Sequence, residues 1–166
     1  MSERTLVVGS LSKSHAMTGS RLGWIIGPKE IISKAIDLAT NMTYGVPGYI
    51  QHAGIFALRK GKEFEQKISK PFNRRQKLAV DILKDFPKLG HIPPQGAMYI
   101  MLDIRSTGMN GISFAHELLD TEKIAVMPGE SFGEAASGHV RISLTLDDEK
   151  FKKTFRTVCN FASNLS

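Results

Sequence analysis

Between two short apolar runs lies a polar segment, Ser10-Leu11-Ser12-Lys13-Ser14-His15-Ala16-Met17-Thr18-Gly19-Ser20-Arg21-Leu22-Gly23, carrying hydroxyls, one lysine and one arginine. The set is chemically coherent for a phosphate-bearing aldehyde. Ser10 and Ser12 can donate hydrogen bonds to phosphate oxygens, and Arg21 can make a charge-assisted fork to the same dianion. The Lys13 amine can condense with the aldehyde. A second candidate is Arg141, a cation inside the otherwise apolar run Val140 to Leu144. Such a charge is costly unless it meets an anion. That anion is either a bound ligand's or a structural acid such as Asp103.

Other chemistries fit less well. Ser10-Leu11-Ser12-Lys13 is formally S-x-x-K, but the companion S-D-N and K-T-G motifs are absent, and Gly9 to Gly19 is expected to be loop where that motif opens a helix. His116-Glu117 is followed by Asp120 where H-E-x-x-H needs a histidine, and His15, His52, His91 and His139 are scattered, so no metal ligands are assigned. A single cysteine, Cys159, allows no intramolecular disulfide and suits a reducing, cytoplasmic setting. No apolar run approaches membrane length, and the residues after Met1 do not form an apolar leader. The net charge of +6 concentrates between Arg59 and Lys88, where apolar residues recur at helical spacing. That pattern is a solvated helix face and not a nucleic-acid surface.

The elements that must position these groups follow from the pattern. Leu6 to Val8 and Leu22 to Ile26 are expected to be buried strands flanking a loop from Gly9 to Ser20. A helix begins at Pro28 and fades at Asn41, and Thr43 to Gly48 is a loop. Ile50 to Leu58 forms a further helix. Phe64 to Phe86 forms one long amphipathic helix, kinked at Pro71, where a domain transition is placed. Strands are expected at Ala97 to Ile104, Ile124 to Met127 and Val140 to Leu144. A short helix spans Ile112 to Leu119, started by Asn110 or Ser113, and a last helix opens at Asp147-Asp148-Glu149.

The segment Ser10 to Gly23 resembles the lysine signature of the class I and II aminotransferases, pyridoxal-phosphate enzymes of fold type I. Gly27-Pro28-Lys29-Glu30, Gly96-Ala97-Met98-Tyr99, Met127-Pro128-Gly129-Glu130-Ser131-Phe132-Gly133 and Val140-Arg141-Ile142-Ser143 extend the likeness over almost the whole chain. The branch it most resembles is the arginine:pyruvate and aspartate-type transaminases. The resemblance implies an α/β fold with an α+β small domain. Residues 1–70 would hold the last strands and helices of the cofactor-binding large domain, and 71–166 the small domain. It implies pyridoxal 5'-phosphate on Lys13, with Ser10, Ser12, Arg21 and Tyr44 at the cofactor. In the family the loop holding Tyr44 often reaches the neighbouring subunit's cofactor, although packing on its own helix is an equal alternative. Arg141 would grip the α-carboxylate of an amino acid or 2-keto acid in a ping-pong transamination, within a homodimer.

The resemblance also carries a departure. Family enzymes supply the ring that stacks on the cofactor, the aspartate at its pyridine nitrogen, and the asparagine and tyrosine at its hydroxyl from a long stretch before this lysine. No such residues precede Lys13 here. The chain is therefore expected to be a fragment that binds the cofactor weakly and is inactive by itself, with the apolar faces and open edges of the strands at Leu6 to Val8 and Leu22 to Ile26 exposed, to pair with another copy or be disordered. Two alternatives remain: a cofactor-free folding or dimerisation unit, and a related lyase acting by β-elimination.

Overall fold

The computed structural model describes residues 1–166, which divide into two compact units, Met1–Lys70 and Pro71–Ser166. In the first unit, β1 (Val7–Ser10) pairs antiparallel with β2 (Gly23–Ile26), with Val7 opposite Ile26 and Ser10 opposite Gly23. The expected loop between them is not wholly irregular. It contains a one-turn helix, α1 (Leu11–Ser14), and a 3₁₀ turn at Thr18–Ser20. The Ser10 side chain caps the first of these by accepting a hydrogen bond from the Ser12 N–H at 3.0 Å. With a helical turn present, only the missing companion motifs still argue against the S-x-x-K reading.

Helices α2 (Lys29–Thr43) and α3 (Gly48–Leu58) follow, each preceded by a proline that cannot extend the helix backward. Fully buried residues in this unit are limited to Leu11, His15 and Gly54. The two strands, which would be buried in a complete sheet, are open here, as expected where that sheet's other strands are missing: Val8 is 75% and Ile26 61% exposed. A two-stranded ribbon has two free edges and two uncovered faces, so its apolar side chains have nothing to pack beneath. Helix α4 (Gly61–Leu83) is assigned without a break through Pro71, its residues up to Lys70 belonging to the first unit and the rest to the second.

The second unit is an antiparallel sheet with helices. Its strands are β3 (Gly90–Ile92), β4 (Tyr99–Asp103), β5 (Met127–Pro128) and β6 (His139–Ser143), ordered β3-β4-β6-β5. Helix α5 (Gly111–Glu122) starts where Asn110 accepts from the Ser113 N–H, and α6 (Asp148–Asn164) where Asp147 accepts from the Lys150 N–H. Ile100 and Leu102 alternate inward on β4, as do Val140 and Ile142 on β6. They meet Ile82, Phe114, Leu118, Phe151, Phe155 and Cys159 in one core. Across the fold Arg74 and Arg75 both reach Asp148 in the first turn of α6, and Arg75 also donates to the Leu144 carbonyl at 2.8 Å.

Two strand expectations need correction. The strand predicted at Ile124 to Met127 shrinks to β5: residues 124–126 pair with nothing, and Pro128, which lacks an N–H, ends the ladder. β3 was not anticipated: three residues beside Pro93-Pro94 carry no readable alternation.

The buried Cys159 thiol is pushed up to about 12 by loss of solvation. It is expected to resist a thiol reagent at pH 8 in the native chain and to react fully in denaturant. Replacing Phe114, fully buried and edge-on to Phe161 at 5.3 Å, by Ala is expected to cost about 3–5 kcal/mol. The same thiol assay then reads the loss, as reactivity appearing at lower denaturant.

Candidate active site

In the first unit the strand ribbon and α1 display Lys13 on the surface, with neither an ion-pair nor a hydrogen-bond partner. The turn beneath it is anchored by what surrounds it. Leu11 is buried, and His15 is nearly so, with its ring 5.8 Å from Phe64 of α4 and its Nδ1 2.9 Å from Ser14 Oγ. Helix α3 passes close at Gly54, where a Cβ would lie 2.3 Å from the Leu22 side chain and 3.4 Å from that of Leu11. Any larger residue there would push on the pair of leucines that seats the segment.

Arg21 closes the segment in the left-handed region, at φ 52° and ψ 40°. Ala16 is likewise at φ 53°. Left-handed backbone at residues other than glycine costs on the order of 1–3 kcal/mol and persists where the surroundings impose it, commonly at functional sites. The Arg21 guanidinium donates to the Thr18 carbonyl at 3.0 Å and has no acidic partner. Ser12 keeps its hydroxyl free of protein contacts, whereas Ser10 Oγ also donates to the Leu22 carbonyl at 3.3 Å. One segment thus presents an unpaired amine, an arginine without a carboxylate, and two hydroxyls of which one is partly committed to backbone. That donor set fits a phosphate-bearing aldehyde. Tyr44 is 93% exposed at the end of α2, in left-handed backbone, and makes no hydrogen bond or ring contact; the alternative of packing on its own helix is not what is seen.

In the second unit β6 carries Arg141 on the face opposite the core, level with Met101 of β4 on one side and Met127 of β5 on the other. Its guanidinium is held between two rings, 4.1 Å from the centroid of Tyr99 and 4.5 Å from that of Phe132. This clamp solves the problem of a cation in an apolar strand without an anion. The Asp103 alternative fails: Asp103 is taken by Arg105, at 2.6 Å and 2.9 Å, which holds its carboxyl below the usual range. Arg141 forms no ion pair, so its outward N–H groups stay available to a carboxylate. Sequence reasoning missed Tyr99 and Phe132 as its neighbours. The signal existed in Phe132 of the P-G-E-S-F-G turn, but only the strand register brings Tyr99 and Arg141 together.

No three His, Cys, Asp or Glu side chains come together as a metal cage. No helix is long and apolar enough to cross a membrane.

The sequence profile of the aminotransferases of class I and II matches residues 1–158. The chain belongs to this family. An arginine–pyruvate transaminase of Pseudomonas aeruginosa is 39% identical over 99% of the chain, which spans 42% of that enzyme. An aspartate aminotransferase of Pyrococcus horikoshii is 36% identical over 89% of the chain, which covers 38% of that protein. The crystal structure of an aromatic aminotransferase from Pyrococcus horikoshii superposes with a TM-score of 0.88 at 33% identity, over 99% of this chain and 43% of that one. The aminotransferase fold is thus retained over about two-fifths of the length of these relatives.

Because Arg105 depresses Asp103, the pair stabilises the fold fully above the ordinary carboxylate range near pH 3.9. That contribution is lost as pH falls through the lowered value. Asp103→Asn is expected to unfold more easily than the parent at neutral pH, with the difference vanishing in strong acid, as urea melts across pH would show.

Proposed function

We propose that this chain supplies the lysine and the carboxylate-binding arginine of a pyridoxal-phosphate-dependent aminotransferase. The observation that carries this reading is the presence of exposed Lys13 and Arg21, both without an acidic partner, on one segment held in costly backbone. Ser10, Ser12 and Arg21 would hold the cofactor's phosphate, and Lys13 would hold its aldehyde end. When bound, the cofactor's conjugated ring stores the charge left at the substrate α-carbon. The Lys13 amine would move the α-proton, and Arg141 would orient the substrate by its carboxylate. A keto acid leaves before the second one enters, so kinetics are ping-pong. The substrates are an amino acid and a 2-oxo acid. The relatives named for arginine–pyruvate and aspartate transfer mark the range from which they are drawn. The complete enzyme is a cytoplasmic homodimer, with Tyr44 presented to the partner's cofactor.

A second reading is favoured by one observation. Val8, Ile26, Ile36 and Phe56 are each at least 60% exposed, a surface suited to a cofactor-free folding or dimerisation unit. The chain alone would then bind no pyridoxal phosphate at a preferred lysine.

Borohydride reduction of the chain with pyridoxal phosphate separates the two. Peptide mapping is expected to show Lys13 modified ahead of the other lysines, with weak affinity, and Arg21→Ala should erase the preference. Even labelling of all lysines would favour the cofactor-free unit. By itself the chain is expected not to transaminate; turnover of an amino acid with pyruvate would show that it needs no further residues. In a complete enzyme carrying these segments, Arg141→Lys should weaken substrate binding on the order of 10- to 100-fold, the loss of about 1.5–3 kcal/mol from a charge-assisted contact. Cofactor affinity should stay unchanged.

A further inference from the structure

We infer that Glu130 is a positioning residue for Arg141, acting through the ring of Phe132. The inference rests on the reading of Arg141 as a carboxylate-binding group. Phe132 stands on the 3₁₀ turn Gly129–Phe132 and is 49% exposed, so its own packing does little to hold its ring 4.5 Å from the Arg141 guanidinium. The ring goes where the turn goes. The turn is fastened to the rest of its unit by the Glu130 side chain: Oε1 accepts from the Gly111 N–H at 2.9 Å and from the Gly138 N–H at 3.3 Å. One carboxylate therefore ties the turn to the first residue of α5 and to the residue that leads into β6, the strand that carries Arg141.

The surroundings are built for this carboxylate. A Cβ at Gly111 would lie 2.3 Å from Glu130 Oε2 and 2.8 Å from the His139 carbonyl oxygen, so only glycine leaves room for the side chain. Oε2 itself is buried and receives no hydrogen bond. An unpaired buried oxygen is tolerated where the remaining donors and the positive end of α5 favour the charge. Backbone N–H groups, its own and those of Gly111 and Gly138, hold the Glu130 carboxyl below its usual range, so it is ionised at neutral pH. Nothing in this arrangement touches a ligand. Its consequence is that the second wall of the Arg141 clamp is set by a charge on the far side of the turn.

The test uses the whole ¹⁵N-labelled chain and the Arg141 Nε–Hε resonance, identified by its loss in Arg141→Lys. Between two rings this proton is strongly ring-current shifted. Glu130→Ala is expected to move it toward the free-arginine position, and Glu130→Gln, which keeps one acceptor oxygen, to restore most of the shift. Phe132→Leu removes the ring but leaves the anchor, and the double variant Glu130→Ala/Phe132→Leu should match Phe132→Leu alone. Titration with pyruvate should weaken about two- to fivefold in Glu130→Ala and in Phe132→Leu, the range for loss of one cation–π contact. A Glu130→Ala chain that melts at lower temperature with the Arg141 resonance unmoved would overturn the inference, as would additive shifts in the double variant. Failure of the parent chain to bind pyruvate would count against Arg141 as the carboxylate site, while the resonance would still decide the role of Glu130.

Discussion

The antiparallel register of β4 and β6, with Met101 opposite Arg141, is the constraint on which the second unit depends. Side chains on a strand alternate with a period of two, so this one pairing sends Ile100, Leu102, Val140 and Ile142 to the core and leaves Tyr99, Met101 and Arg141 on the other face. A slip by one residue would drive the guanidinium among Phe114, Phe151 and Phe155. The cost of burying an unpaired charge there makes the register hard to escape. Core and candidate site are thus two consequences of the same ladder, and the aromatic clamp is what lets the outer face keep a bare cation.

The two units carry their apolar residues differently. In the second, helices α5 and α6 cover the inner face of a four-stranded sheet, and large side chains such as Phe114 and Phe155 are fully enclosed. In the first, β1 and β2 have only each other. Their open edges and exposed valines and isoleucines form the kind of surface that folded chains ordinarily cover. The aminotransferase relatives, in which the same fold accounts for about two-fifths of the chain, have more polypeptide with which to cover it. Local tethering still operates: the Ser10 cap, buried Leu11 and His15, and the close pass of α3 at Gly54 hold the lysine segment within a unit that is otherwise thinly packed.

Family membership narrows the chemistry without choosing the substrate. Relatives named for arginine–pyruvate, aspartate and aromatic amino-acid transfer share these segments at 33–39% identity. Discrimination between side chains is made by pocket walls, and fold kinship does not supply them.

Much of this was legible in the order of residues. Helix starts at Asn110 and Asp147 follow from side chains that satisfy their own neighbours' N–H groups, and the inward positions of β4, β6 and α6 follow from periodicity, because both are local or repeat at short range. The lysine segment is equally local, so its gathering of Ser10, Ser12, Lys13 and Arg21 is visible in residue order. What tertiary structure alone decided involves partners distant in sequence. Phe132 and Tyr99 became walls for one guanidinium, and the Glu130 carboxylate found the start of α5. Exposure of β1 and β2 followed from the family resemblance and not from local pattern, since an apolar strand has the same composition whether or not its sheet is covered. Residue types state which contacts would be favourable; only the packed chain states which of them are close enough to form.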